Sequence, residues 1–167
     1  QRLTGGEPLL RPDLQVLVKT LAQKPQLREI ALTTNGILLA KQADGLCAAG
    51  LGRVTVSLDT LRPNRFVKLA RRHSHAAVLA GIQRAVDCGF KRVKINMLVM
   101  RGVNDDELVD LIDFGRDVRV AGSPPEGAEP APPVPPAARA TATVQAPLGI
   151  ELNHLVSPYQ NECADGY

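Results

Sequence analysis

The sequence predicts an α/β fold in which parallel strands alternate with helices. Three observations lead there: short apolar runs closed by turn residues, intervening stretches with apolar residues at helical spacing, and repetition of that cycle along residues 1–119. A chain returning to the same end of a sheet needs a crossover long enough to hold a helix, and such crossovers are right-handed. An open flavodoxin-like sheet and a barrel both satisfy this pattern. In either, ligands bind beyond the C-terminal ends of the strands, so position there is the test for each candidate residue.

The elements follow in order. A strand stub at the start leads into Thr4-Gly5-Gly6-Glu7-Pro8, and Pro12-Asp13 suits the start of a helix whose apolar face is Leu14, Leu17, Val18 and Leu21. Ile30 to Thr34 reads as a strand closed by the turn Asn35-Gly36. Leu39, Ala43, Leu46 and Cys47 mark the next helix, with Gly50 suited to its C-terminal end, before the strand Val54 to Leu58. The third cycle places Val78, Ile82, Ala85 and Val86 on one helical face, then Gly89, then a strand from Val93 to Met100. Asn104-Asp105-Asp106-Glu107 reads as a reciprocal capping box ahead of a further helix through Leu108, Leu111 and Ile112.

After Arg119 this pattern stops. Residues 121–147 contain eight prolines and little periodicity, so 120–167 is predicted to be a disordered Pro/Ala-rich tail, with Leu148 to Val156 a short element lacking an evident partner. Charge divides at the same place: residues 1–120 hold 19 Lys and Arg against 12 Asp and Glu, and residues 121–167 hold one Arg against five acids. The basic part suits nucleotides or acidic metabolites. Aromatic residues are 3% of the chain and Trp is absent, which argues against a stacking platform for single-stranded nucleic acid. No apolar run reaches bilayer length. Cys47, Cys88 and Cys163 are too widely spaced for a disulfide framework or a zinc knuckle, and the first two fall on apolar helical faces as small hydrophobes.

Several polar residues pass the strand-end test. Gly5 and Gly6 allow a ligand close to the backbone. Thr33, Ser57, Lys94 and Asn96 lie at or near the ends of successive strands. Lys94 is the most informative, because an ammonium in an apolar strand is costly unless paired. His73 and His75 fall in the basic stretch Arg71-Arg72-His73-Ser74-His75, read as a solvated turn, and no Ser-His-acid triad stands out.

Together Arg2-Leu3-Thr4-Gly5-Gly6-Glu7-Pro8-Leu9-Leu10-Arg11, Thr33-Thr34-Asn35-Gly36, Val56-Ser57-Leu58-Asp59, Val93-Lys94-Ile95-Asn96 and Arg101-Gly102-Val103-Asn104-Asp105 resemble the GTP 3',8-cyclase family, over residues 1–119. Its members are radical S-adenosylmethionine enzymes that rearrange GTP in the first step of molybdopterin synthesis. The resemblance implies a partial radical-SAM (β/α) barrel with about four of six βα units. It also implies GTP contacts from Arg2, Thr33 and Lys94, and S-adenosylmethionine contacts from Gly6 and Ser57.

The family's [4Fe-4S] cluster sits on a Cys-x3-Cys-x2-Cys loop, which the resemblance places upstream of Gln1, so this chain is expected to lack cluster ligands and, alone, activity. No catalytic or metal-binding residue is assigned within it. A match that ends at Asp117-Val118-Arg119 is expected to end within a strand. By the same resemblance the product passes to cyclic pyranopterin monophosphate synthase, members are often homodimeric, and the compartment is the mitochondrial matrix in eukaryotes or the cytoplasm in bacteria. A non-catalytic nucleotide-binding module and another radical-enzyme branch are the alternatives.

Overall fold

The computed structural model describes residues 1–121 and the strands at 143–144 and 149–156, with side chains described through residue 116. Strands β1 (Arg2–Leu3), β2 (Ala31–Thr34), β3 (Arg53–Ser57) and β4 (Arg92–Met100) are joined through helices α1 (Leu14–Ala22), α2 (Leu39–Ala48), α3 (Pro63–Ala70) and α4 (His75–Asp87). Helix α5 (Leu108–Ala121) follows β4, and β5 (Thr143–Val144) and β6 (Gly149–Val156) complete the sheet.

The sheet order is β1-β2-β3-β4-β6-β5, parallel throughout except for the β5–β6 pair. Sequential order decides between the two architectures left open by the sequence. A flavodoxin-like sheet reverses direction at a switch point and carries helices on both faces. Four strands added one after another through right-handed crossovers put their helices on one face, as in a barrel.

Side chains in a strand alternate between faces. Leu32, Val54, Val56, Val93, Ile95 and Met97 form the helix-facing row set, each at most 4% exposed. They meet Leu14 and Val18 of α1, Leu39, Ala43 and Leu46 of α2, and Val78, Ile82 and Ala85 of α4 in one cluster. Each fully buried Leu or Ile contributes about 1.5–3 kcal/mol. Helices α2 and α4 approach closely because residue 81 is glycine; a Cβ there would lie 2.7 Å from the Gly36 carbonyl oxygen.

The structure departs from the sequence reading in several places, among them Thr143–Val144, expected to be disordered but paired as a strand with β6. Helix α3 was not expected; its signals are Pro63 at the first turn and a buried Phe66. Asp117 to Arg119 lie in helix α5, not in a strand. Gly149–Val156, expected to lack a partner, pairs in parallel with β4, with Lys94 opposite Gly149 and Asn96 opposite Glu151. The capping box does not form either: Asn104 makes no side-chain cap and begins a 3₁₀ turn, Asp105–Glu107, before α5. The expectation of disorder in 122–142, 145–148 and 157–167, and the placement of Cys163, lie outside the described residues.

Candidate functional site

The face of the sheet away from the helices is polar, and strand register arranges it in rows. Arg2, Ala31, Arg53 and Arg92 lie opposite one another across β1 to β4. One step nearer the C-terminal ends, Thr33, Thr55 and Lys94 form the next row, and Ser57 and Asn96 the one beyond. Thr33, Lys94 and Ser57, with Arg2 at the edge, therefore share one face. Lys94 is 7% exposed and Thr55 5%. Thr55 lies between Thr33 and Lys94 and was not singled out from sequence; its signal is the alternation Val54-Thr55-Val56, which sends a lone hydroxyl to the polar side.

At the C-terminal edge, Gly5 and Gly6 adopt φ of +98° and +49°, conformations that side chains disfavour, and a Cβ at either would have no atom within 4 Å. The backbone there is open to a ligand. Glu7 fixes the loop. Its Oε1 accepts from the Leu9 N–H at 3.0 Å and the Thr34 hydroxyl at 2.7 Å, and its Oε2 accepts from the Asn35 N–H at 2.7 Å. One carboxylate thus ties the end of β1 to the end of β2, a role a single sequence does not reveal because its partners are distant in the chain.

Beyond the ends of β2 and β3 lies an open pocket of about 240 Å³, lined by polar Asn35, Ser57, Asp59 and Arg72 and by apolar Ile37 and Phe66 among others. Hydroxyl, carboxamide and carboxylate groups beside an apolar wall give a small molecule polar partners on one side and an apolar surface on the other. Burial pushes the Asp59 carboxyl above its ordinary value, opposed by the Leu98 N–H that it accepts at 2.8 Å. Of the residues expected to act, Ser57 lies in this pocket, Gly6 on the open loop, and Arg2, Thr33 and Lys94 along the adjoining face.

His75 is not in a solvated turn. It is the first residue of α4 and 7% exposed, with its ring edge-on to Phe66 at 5.2 Å and its Nε2 3.3 Å from the Thr60 carbonyl oxygen. His73 is exposed, as expected of a turn. Cys47 and Cys88 are half-buried against the core; the Cys47 thiol donates to the Cys88 carbonyl at 3.2 Å. Burial, then the neighbouring Cys47, pushes the Cys88 thiol up to about 11, so it stays protonated and inert near neutrality. Among the described residues no three His, Cys, Asp or Glu side chains come together as a metal-binding group.

A singly wound parallel sheet with its polar face and pocket toward the C-terminal ends of the strands defines a barrel-type α/β scaffold. Residues 2–115 match the radical SAM superfamily. The chain belongs to that superfamily.

Relatives sharpen the comparison. Over 121 residues the chain is 55% identical to GTP 3',8-cyclase 1 of Mycobacterium tuberculosis (strain ATCC 25618 / H37Rv), covering 70% of this chain and 34% of the relative. It is 49% identical over 111 residues to molybdenum cofactor biosynthesis protein 1 of Bos taurus, covering 66% of this chain and 18% of that protein. The chain thus spans about a third or less of the length of these relatives. A solved structure, that of TYW1 with a lysine-pyruvate adduct bound, superposes with a TM-score of 0.56 at 21% identity, over 70% of this chain and 37% of the other. That likeness concerns the fold.

Proposed function

We infer that the protein takes part in the 3',8-cyclisation of GTP, binding S-adenosylmethionine at the pocket and the Gly5-Gly6 loop and GTP along the polar face. The observation behind this is the register that sets Arg2, Thr33, Lys94 and Ser57 on one face, together with the names of relatives about half identical in sequence. S-Adenosylmethionine, when bound, would supply a 5'-deoxyadenosyl radical that abstracts hydrogen, once an iron–sulfur cluster had given its sulfonium one electron and the C5'–S bond had broken to release methionine. Ser57, Asn35 and Asp59 offer hydrogen bonds to its hydroxyl-bearing part, and the open glycine loop admits its extended end. Arg2 and Lys94 offer positive charge to a triphosphate, and Thr33 and Thr55 offer hydroxyls between them. The product would pass to cyclic pyranopterin monophosphate synthase.

Isothermal titration of the purified protein with GTP tests the substrate half. Saturable binding that falls at least tenfold in Lys94→Ala, with Lys91→Ala, exposed in the turn before β4, unchanged, supports the reading. Equal binding by the Lys94→Ala variant and the parent would refute it. Cleavage of S-adenosylmethionine by anaerobically purified protein, with iron assayed in the same sample, separates a cyclase from a nucleotide-binding module.

A further inference from the structure

The Arg101 to Asp105 motif has no place in the ligand contacts above, yet the segment it opens contains two fully enclosed polar side chains. Asn104 and Glu107 are both 0% exposed. Asn104 Nδ2 donates to the Asp59 carbonyl at 2.8 Å and the Leu98 carbonyl at 2.9 Å, while its Oδ1 accepts from the Met100 N–H at 2.7 Å. Glu107 accepts from the Thr60 hydroxyl at 2.7 Å and the Leu61 N–H at 2.7 Å, and it is paired with Arg65. Asp59 and Thr60 are pocket wall.

We propose that Asn104 and Glu107 are positioning residues, which hold the β3–α3 loop at 59–61 in the shape the cofactor pocket requires. This rests on the reading of that pocket as the S-adenosylmethionine site. A buried carboxylate is a poor device for stability alone, since a well-packed apolar residue of similar volume serves as well or better. What the carboxylate does here is fix a hydroxyl, a backbone N–H and a guanidinium from three consecutive parts of the loop and α3. The Thr60 hydroxyl, so oriented, in turn accepts from the Arg62 N–H at 3.1 Å. The Asp59 main chain is held by Asn104, and its side chain by the Leu98 N–H of β4. The segment after β4 thus sets one wall of the pocket without lining it.

The test compares two ligands in the purified protein carrying Glu107→Ala, Glu107→Gln or no change: S-adenosylhomocysteine as the probe of the pocket and GTP as the probe of the polar face. Glu107→Ala is expected to weaken S-adenosylhomocysteine at least tenfold while GTP affinity stays within twofold, and Glu107→Gln, which keeps an acceptor, recovers part of the loss. Amide hydrogen exchange in Glu107→Gln is expected to quicken at 59–62 and not in α2 or α4, and it provides the answer if the alanine variant fails to fold. Unchanged exchange at 59–62, unchanged S-adenosylhomocysteine affinity, or equal weakening of both ligands overturns the proposal. A folded parent that binds GTP but not S-adenosylhomocysteine overturns the cofactor reading first, and the positioning role with it.

Discussion

Replacing Gly36 with alanine tests the packing beneath the site. Gly36 sits between the end of β2 and α2 with φ of +79°, and a Cβ there would stand 2.7 Å from Val56 Cγ1 and 3.1 Å from Val78 Cγ1. Two costs combine. The left-handed conformation costs an L-residue about 1–2 kcal/mol, offset by about 0.4–1 kcal/mol because alanine narrows the unfolded ensemble. The overlap adds about 1–3 kcal/mol, since Val56 and Val78 are both 0% exposed and β-branched and have little room to yield. Gly89 isolates the first term: its φ is +86°, and a Cβ there would meet nothing within 4 Å. Urea denaturation followed by circular dichroism should therefore place Gly89→Ala about 1 kcal/mol below the parent, and Gly36→Ala a further 1–3 kcal/mol lower. Equal midpoints for the two variants, at equal slope, would show that the β3–α4 contact is looser than described and refute the packing account.

Other substitutions reach the site itself. Glu7→Gln leaves an amide where three donors converge and should cost about 1.5–3 kcal/mol, with a local rise in hydrogen exchange at Leu9 and Asn35. Asn104→Ala strands one N–H and two carbonyls in the interior, for about 3 kcal/mol of destabilisation by thermal or urea melting. Two carboxyls predict opposite pH responses. Burial raises Asp59 in the folded state, so its contribution is present at low pH and lost as pH rises through that raised value; Asp59→Asn should gain on the parent over that interval. For Glu107, burial favours the neutral form, but the Thr60 hydroxyl, the Leu61 N–H and Arg65 outweigh it and hold the carboxyl below its ordinary value. Its contribution is then present above the ordinary glutamate range and lost as pH falls through the lowered value, where Glu107→Gln and the parent should converge in urea midpoint.

Much of this arrangement was legible in the sequence. Apolar runs and helical spacing located β2, β3, β4, α1, α2 and α4, because burial on one face leaves a periodic trace in the chain. The strand-end rule selected Thr33 and Ser57, which end β2 and β3; Lys94, selected by the same rule, is the third of nine residues in β4 and lies toward its N-terminal end, sharing their face through register. Helix α3 escaped because it is short and its buried surface comes largely from Phe66. Asn104 and Glu107 misled for a different reason: their spacing fits a capping box, but a carboxylate seeks whatever donors surround it, and Thr60, Leu61 and Arg65 are distant in sequence. His75 was misassigned because its neighbours are charged, whereas its own environment is set by Phe66 and Thr60. Glu7 belongs with these. Polar residues whose partners arrive from elsewhere in the chain leave no local signature.

The alternation along β4 has a consequence for how such a protein changes over generations. Val93, Ile95 and Met97 face the helices, while Arg92, Lys94 and Asn96 face the polar side, so inheritance of the scaffold and inheritance of its chemistry are written in adjacent letters of one strand. A substitution at 94 or 96 changes the polar face without touching the layer beneath, whereas a one-residue insertion ahead of them exchanges the two sets.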